Sequence, residues 1–293
     1  MQTELEKTIN ADGGGNEVKL HGKIKLGVDK SGSFTVGKLC VKGIITVTRP
    51  GVVIDGSDAE IEVDINDCTT SDWSLFFIHP AARNVRFRNL SVKVRINNPV
   101  HSARIFAVIY NTSYGLSIEG CRIEAISDKQ LNMAGVYNNG NLDTHLDTRA
   151  DNAVIANNTL KIECMPDIFD KECAVYGIYN YLANSISVQN NFIYAVNKGD
   201  GGRQKAAGVY TNGRFGRFTG NNIKANCTHN KGFEIEHAHA FGFINDGLYS
   251  LIECNNIVGE WAGMSVGLEN SGEYALIEGN KILATHTMRG RSI

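Results

Sequence analysis

A six-residue pattern that returns through most of the chain constrains its fold more than any other feature. The pattern is an apolar residue, any residue, Asn or Gly, a small or polar residue, any residue, then Ile, Leu or Val. Its clearest copies are Phe87-Arg-Asn-Leu-Ser-Val92, Ile118-Glu-Gly-Cys-Arg-Ile123, Ile155-Ala-Asn-Asn-Thr-Leu160, Val188-Gln-Asn-Asn-Phe-Ile193, Phe218-Thr-Gly-Asn-Asn-Ile223, Ile252-Glu-Cys-Asn-Asn-Ile257 and Ile277-Glu-Gly-Asn-Lys-Ile282. Their first residues are 31, 37, 33, 30, 34 and 25 apart, and Ile54-Asp-Gly-Ser57 is a looser copy 33 residues before Phe87. A second pattern interleaves with the first: Ala107-Val-Ile-Tyr-Asn111, Ala134-Gly-Val-Tyr-Asn138, Tyr176-Gly-Ile-Tyr-Asn180, Ala207-Gly-Val-Tyr-Thr211, Phe241-Gly-Phe-Ile-Asn245 and a degenerate Ser265-Val-Gly-Leu-Glu269.

Each unit therefore holds at least three short segments. Those flanking the Asn step alternate apolar and polar residues over four to six positions, as in Leu90-Val92-Val94, which is the period of a strand. None is long enough for a helix. Units this small cannot close a core alone and must stack on one another. Asn and Gly suit a sharp corner between strands because both tolerate the left-handed backbone conformation. Stacked Asn side chains can also bond to each other along the stacking axis.

On these residues the chain resembles the pectate-lyase-like superfamily of right-handed parallel β-helices, over roughly residues 17–285. The resemblance implies an all-β solenoid of about eight coils, with the Asn-bearing corner joining the second and third strands of each coil and the Ala-Gly-Val-Tyr segment as the first strand. One domain is expected: residues 1–26 as the leading segment and first coil, 27–285 as stacked coils, 286–293 as a tail. A β-propeller would need longer four-stranded blades with their own signature, and leucine-rich repeats a regular Leu-x-x-Leu-x-Leu run. Neither is present. The last coil, Ile282 to Ile293, shows no polar cap, so the carboxy terminus should fold back over it, or the chain is a fragment or packs end-on against a partner.

Composition narrows the partners. A net charge of −2 with charges spread evenly offers no basic stripe to release counterions from nucleic acid. No window approaches eighteen uninterrupted apolar residues, and Met1 to Asn10 has neither the basic nor the apolar region of a signal peptide, so no membrane partner is expected. Cys40, Cys68, Cys121, Cys164, Cys173, Cys227 and Cys254 form an odd set without a CxxC pair, and read as free thiols of a protein made in the cytosol.

Enzymes of the resembling superfamily work on the outer face of the first-strand sheet and its loops. If the apolar residues of Ala134-Gly-Val-Tyr137 face inward, Tyr110, Tyr137, Tyr179 and Tyr210 form an outward column beside Gly135, Gly177 and Gly208, a floor for a sugar ring. The other arrangement is an inward aromatic stack. The loop before this sheet gathers Lys129, Lys171, Arg203, Lys205, Glu234, Glu236, His237 and His239. The loop after it adds Asp143, His145, Asp147, Arg149, Arg214, Asp246 and Glu269. A uronate lyase needs a cation to neutralise the carboxylate and a base for the α-proton, whereas a glycoside hydrolase needs two carboxyl groups.

Asp246 and Glu269, expected in register one coil apart, are the carboxylate pair, with Arg214 and His239 as orienting or charge-stabilising groups. Tyr137, Tyr179 and Tyr210 are the expected platform, with Asp143, Asp147, Arg149 and Glu236 as further substrate contacts. His237 and His239 lie two apart and lack a third ligand in sequence, so neither metal nor cofactor is expected. The family's enzyme signatures are missing: the polygalacturonase set (Asn-Thr-Asp, Asp-Asp, Gly-His-Gly), Trp-Ile-Asp-His, Arg-His-Gly and Asp-Pro-His-Glu. The leading expectation is a protein that binds and cleaves an oligo- or polysaccharide by lyase or hydrolase chemistry. The alternatives are a phage tailspike-like receptor-binding module, which would form a homo-oligomer (a trimer), and a non-catalytic solenoid.

Overall fold

The computed structural model describes residues 2–11, 17–27, 32–36, 39–66, 72–97, 99, 105–129, 131–140, 150–165, 173–198, 204–227, 238–261 and 264–286. They form a right-handed parallel β-helix. One sheet holds the first strand of each coil: Leu39–Val47, Asp72–Ile78, Ile105–Asn111, Asn132–Asn139, Cys173–Tyr181, Gln204–Thr211, Ala238–Asn245 and Met264–Asn270 pair in parallel, and Gly32–Val36 adds an antiparallel edge. These eight parallel strands match the expected coil count. The second, 16-stranded sheet holds the other two strands of each coil, for example Ser187–Gln189 and Phe192–Asn197.

The repeated six-residue pattern lies across the corner between those two strands. Its third residue is left-handed at every clear copy: Asn89, Gly120, Asn157, Asn190, Gly220, Cys254 and Gly279. The next residue builds the ladder. Asn158, Asn191, Asn221, Asn255 and Asn280 lie in a column, and the Oδ1 of each of the last four accepts both the backbone N–H and the side-chain N–H of the rung before it, at 2.9–3.0 Å. Four of the five are buried, yet each of the four is satisfied by its neighbours. A second ladder, not anticipated from sequence, closes the first-strand sheet: Asn111 donates to Asn138 at 2.6 Å, Asn138 to Asn180 at 2.8 Å and Asn180 to Thr211 at 3.0 Å.

The first strands depart from simple alternation. Met133 and Val136 belong to the central core, while Ala134 and Tyr137 belong to a separate outer cluster. The slip occurs at Gly135, where a Cβ would sit 2.7 Å from the carbonyl oxygen of Gly177 and 3.0 Å from Ile162. Gly177, Gly208, Gly242 and Gly267 repeat the geometry against Ile193, Ile223, Ile257 and Ile282. The glycines thus face the interior, where the next coil's backbone leaves no room for a side chain. The tyrosines face outward, and the expected glycine floor between them is not formed.

A helix the strand pattern did not suggest, Gln2–Asn10, closes the amino-terminal end. Leu5 and Ile9, four apart on one face, enter the core, and Asn10 bonds the Thr46 carbonyl at 2.7 Å and the Thr48 N–H at 2.8 Å. The strand Glu17–Gly27 then pairs in parallel with Val53–Asn66 as the first coil. At the other end Ile282 is 46% exposed, whereas Ile257, its register partner one coil earlier, is fully buried. Residues 287–293, on which the expectation of a folded-back terminus falls, lie outside the described residues.

Cys121, Cys164, Cys173 and Cys227 are buried free thiols, as expected, whereas Cys254 is an exposed corner residue. Burial pushes the Cys121 thiol up to about 11, so it stays protonated and unreactive. The side chain of Cys40 and all of Cys68 fall outside the described residues.

Candidate functional site

The outer face of the first-strand sheet is built from register. One column runs Phe77, Tyr110, Tyr137, Tyr179, Tyr210, Ile244 and Glu269. A parallel column runs Ala107, Ala134, Tyr176, Ala207, Phe241 and Val266, and a third brings Ala174, Lys205, His239 and Met264 side by side. The tyrosine rings follow one another at 4.6 Å (Tyr110 to Tyr137), 4.8 Å (Tyr137 to Tyr179) and 5.0 Å (Tyr179 to Tyr210). Tyr110 and Tyr137 are buried, so the accessible part of the column begins at Tyr179 and Tyr210.

Beyond that point the face gains charge. Ala207 is small and stands between Tyr176 and Phe241 on the neighbouring coils, and Lys205 lies against those rings. Its Nζ is 5.3 Å from the centroid of Phe241, 5.7 Å from Tyr210 and 5.9 Å from Tyr176. The ring faces attract the ammonium, and the carboxylates of Glu269 and Asp246 do so from farther off, but loss of water outweighs the carboxylates and lowers the Lys205 pKa. Burial moves the phenols the other way. Tyr176 and Tyr210 are both raised, Tyr210 further by the charge of Asp246 and a hydrogen bond to it. The face therefore holds an amine that gives up its proton more readily than usual beside phenols that keep theirs.

Asp246 also accepts a hydrogen bond from the Ser271 hydroxyl. That contact corrects the expected register. Asn245 pairs with Asn270, so the residue alongside Asp246 on the next coil is Ser271, while Glu269 pairs with Ile244. Asp246 and Glu269 are thus diagonal, one strand and two residues apart, which places their Cα atoms about 8 Å apart from strand spacing alone. His239 is in register with Lys205 and packs edge-on to Phe241 at 5.9 Å.

Arg214 is not brought to this cluster. It lies beyond Gly213 in the following corner, exposed, with its N–H bonded to Asn184 Oδ1 at 3.0 Å. Asp143, Asp147, Arg149 and Glu236 lie outside the described residues. The residue that reasoning from sequence passed over is Lys205. It was visible as one loop charge among many, and the signal that singles it out is its place two residues before Ala207, on the outward set of its strand.

No family model matches the chain, and no curated protein matches it. Among solved structures it is similar to the A-modules of two mannuronan C-5 epimerases of Azotobacter vinelandii. Each is 13% identical over 98% of this chain and 94% of the other, with TM-scores of 0.28 and 0.22. It is also similar to PfbA, a surface adhesin of Streptococcus pneumoniae, at 10% identity over 94% of this chain and 86% of that one, with a TM-score of 0.31.

Proposed function

We propose that the outer face around Lys205 binds an oligo- or polysaccharide and cleaves it by β-elimination at a uronic acid. The observation that carries this reading is the Lys205 amine, held among three aromatic rings with its pKa lowered by burial, with two carboxylates farther off. Elimination needs a base for the proton α to the sugar carboxylate, and a lysine brought toward neutrality by burial is suited to that task. The neutral amine takes the proton, the freed pair becomes the double bond, and the glycosidic oxygen leaves with that proton, handed on by the Lys205 ammonium. Asp246 holds the Tyr210 hydroxyl in place at the edge of the site. His239, in register with Lys205, orients the uronate carboxylate. Tyr179 and Tyr210 offer half-exposed rings to apolar sugar faces. Arg214, one corner away, meets the outgoing part of the polymer.

A second reading, hydrolysis by Asp246 and Glu269, is favoured by the fixing of Asp246 between the Ser271 and Tyr210 hydroxyls, as an ionised base or nucleophile would require. The two are separated by incubating the protein with acidic and neutral polysaccharides and following the unsaturated-uronate absorbance and new reducing ends together. A rise in both supports elimination, and reducing ends alone support hydrolysis. Binding without either signal, with a trimeric mass in solution, would replace both readings with a receptor-binding module.

A further inference from the structure

One corner away from the Lys205 face, the coils share a column of left-handed residues, Gly51, Asn84, Gly115, Asn152, Ser185, Phe215, Tyr249 and Tyr274, and the coil of Ser185 adds a second, Leu182. Their register is fixed by backbone bonds between coils, such as Phe215 N–H to the Leu248 carbonyl at 2.9 Å and Tyr249 N–H to the Glu273 carbonyl at 3.0 Å. The first four are Gly or Asn, which adopt this conformation at little cost. The last three are bulky aromatic residues at φ 59, 56 and 57°, where such side chains are strained outliers.

Burial does not offset that strain, because Phe215, Tyr249 and Tyr274 are 58%, 49% and 72% exposed. Their rings are nearly parallel, with centroids 5.3 and 5.0 Å apart and planes 12° and 9° from parallel. The rings are thus stacked one coil on the next, and the exposure of all three residues leaves part of each ring open to solvent. Arg214 and Glu273 precede the first and last rings in the chain, and Arg217, Leu251 and the exposed Leu276 form the neighbouring column. Strain held at exposed aromatic residues on three successive coils points to a use outside the fold.

We propose that Phe215, Tyr249 and Tyr274 form a second glycan-binding stripe, taking the apolar faces of successive pyranose rings of a polysaccharide that runs along the helix axis. One ring per coil matches roughly one sugar unit per coil, and the phenol hydroxyls with Arg214 and Glu273 provide bonding partners for the sugar hydroxyls. The stripe would hold a polymer while its continuation crosses the Lys205 face. It rests on the reading of this chain as a glycan-binding protein, but not on any cleavage.

The test uses the left-handed backbone itself. Phe215→Asn and Tyr249→Asn, singly and together, put a residue suited to that conformation in place of a strained one. They are compared with the unmodified protein in thermal melts and in affinity electrophoresis through gels containing alginate, polygalacturonate or xylan. The stripe predicts unchanged or raised melting temperatures, with retardation by at least one polymer weakened about tenfold in the double variant. Lowered melting temperatures with retardation unchanged would overturn it, showing the rings to be a structural strut. So would absence of retardation of the unmodified protein in all three gels. A loss of oligomeric mass with retardation intact would also overturn it, in favour of self-association. Retardation is read without turnover, so failure of the cleavage reading leaves this result untouched.

Discussion

Asn191 and Asn221 are joined by two hydrogen bonds to a single oxygen: the Asn191 backbone N–H and its side-chain Nδ2 both donate to Asn221 Oδ1, at 2.9 and 3.0 Å. Asn191 Oδ1 receives the same pair from Asn158, and its Nδ2 also reaches the Ile155 carbonyl at 2.8 Å. Asn191→Ala would strand the Asn158 donors and the Ile155 carbonyl in the interior. At about 1–3 kcal/mol for each unsatisfied buried group, a loss of roughly 3 kcal/mol or more is expected. Denaturant unfolding checks this, and a loss below about 1 kcal/mol would mean that the ladder contributes little beyond backbone pairing.

The inward glycine line makes a prediction opposite to that of an outer sugar floor. A Cβ at Gly208 would stand 2.6 Å from the carbonyl oxygen of Gly242, which is backbone and cannot swing away, and would also meet the Ile223 side chain. Gly208→Ala should therefore destabilise the fold by about 1–3 kcal/mol, as overpacking does. Chemical unfolding of this variant that matched the unmodified protein would contradict the placement.

Asp55 governs the acid limb of stability. Hydrogen bonds from the Ser57 hydroxyl at 2.7 Å and Arg88 at 2.8 Å hold its carboxyl down at about 2. Because the folded value lies below the unfolded one, the stabilisation is complete above the unfolded pKa and is lost as pH falls through about 2. Asp55→Asn should lower stability at pH 7 by about 1–2 kcal/mol, allowing for the half-exposed Arg88, and flatten the dependence between pH 4 and 2. Urea midpoints measured across that range decide it. Parallel curves for the two proteins would remove Asp55 from the account.

The repeat made the fold legible because each copy answers one local demand. Asn157 and Asn190 turn the corner, Asn158 and Asn191 bond along the axis, and both demands recur on every coil, so the residues recur in sequence. The glycine slip was not legible, since strict alternation is the default expectation and only the approach of Gly177 to Gly135 breaks it. Asp246 and Glu269 were recognised as neighbours, but their register depended on counting through a corner. Phe215, Tyr249 and Tyr274 escaped notice because they occupy a column whose earlier members are Gly, Asn and Ser, so no pattern of residue type links them. The helix Gln2–Asn10 bears only Leu5 and Ile9 as its inward signal.

If Lys205 is the base of the proposed elimination, the pH dependence of kcat/KM on a polyuronate will report its deprotonation. Burial lowers the Lys205 pKa from the ordinary 10.5, so activity should rise with pH along a limb whose midpoint lies below that value as the amine loses its proton. Lys205→Arg keeps the positive charge but cannot deprotonate in that range, and should abolish turnover while the fold melts as before. A variant that retained both the limb and the rate would contradict the assignment and return the chemistry to Asp246 and Glu269.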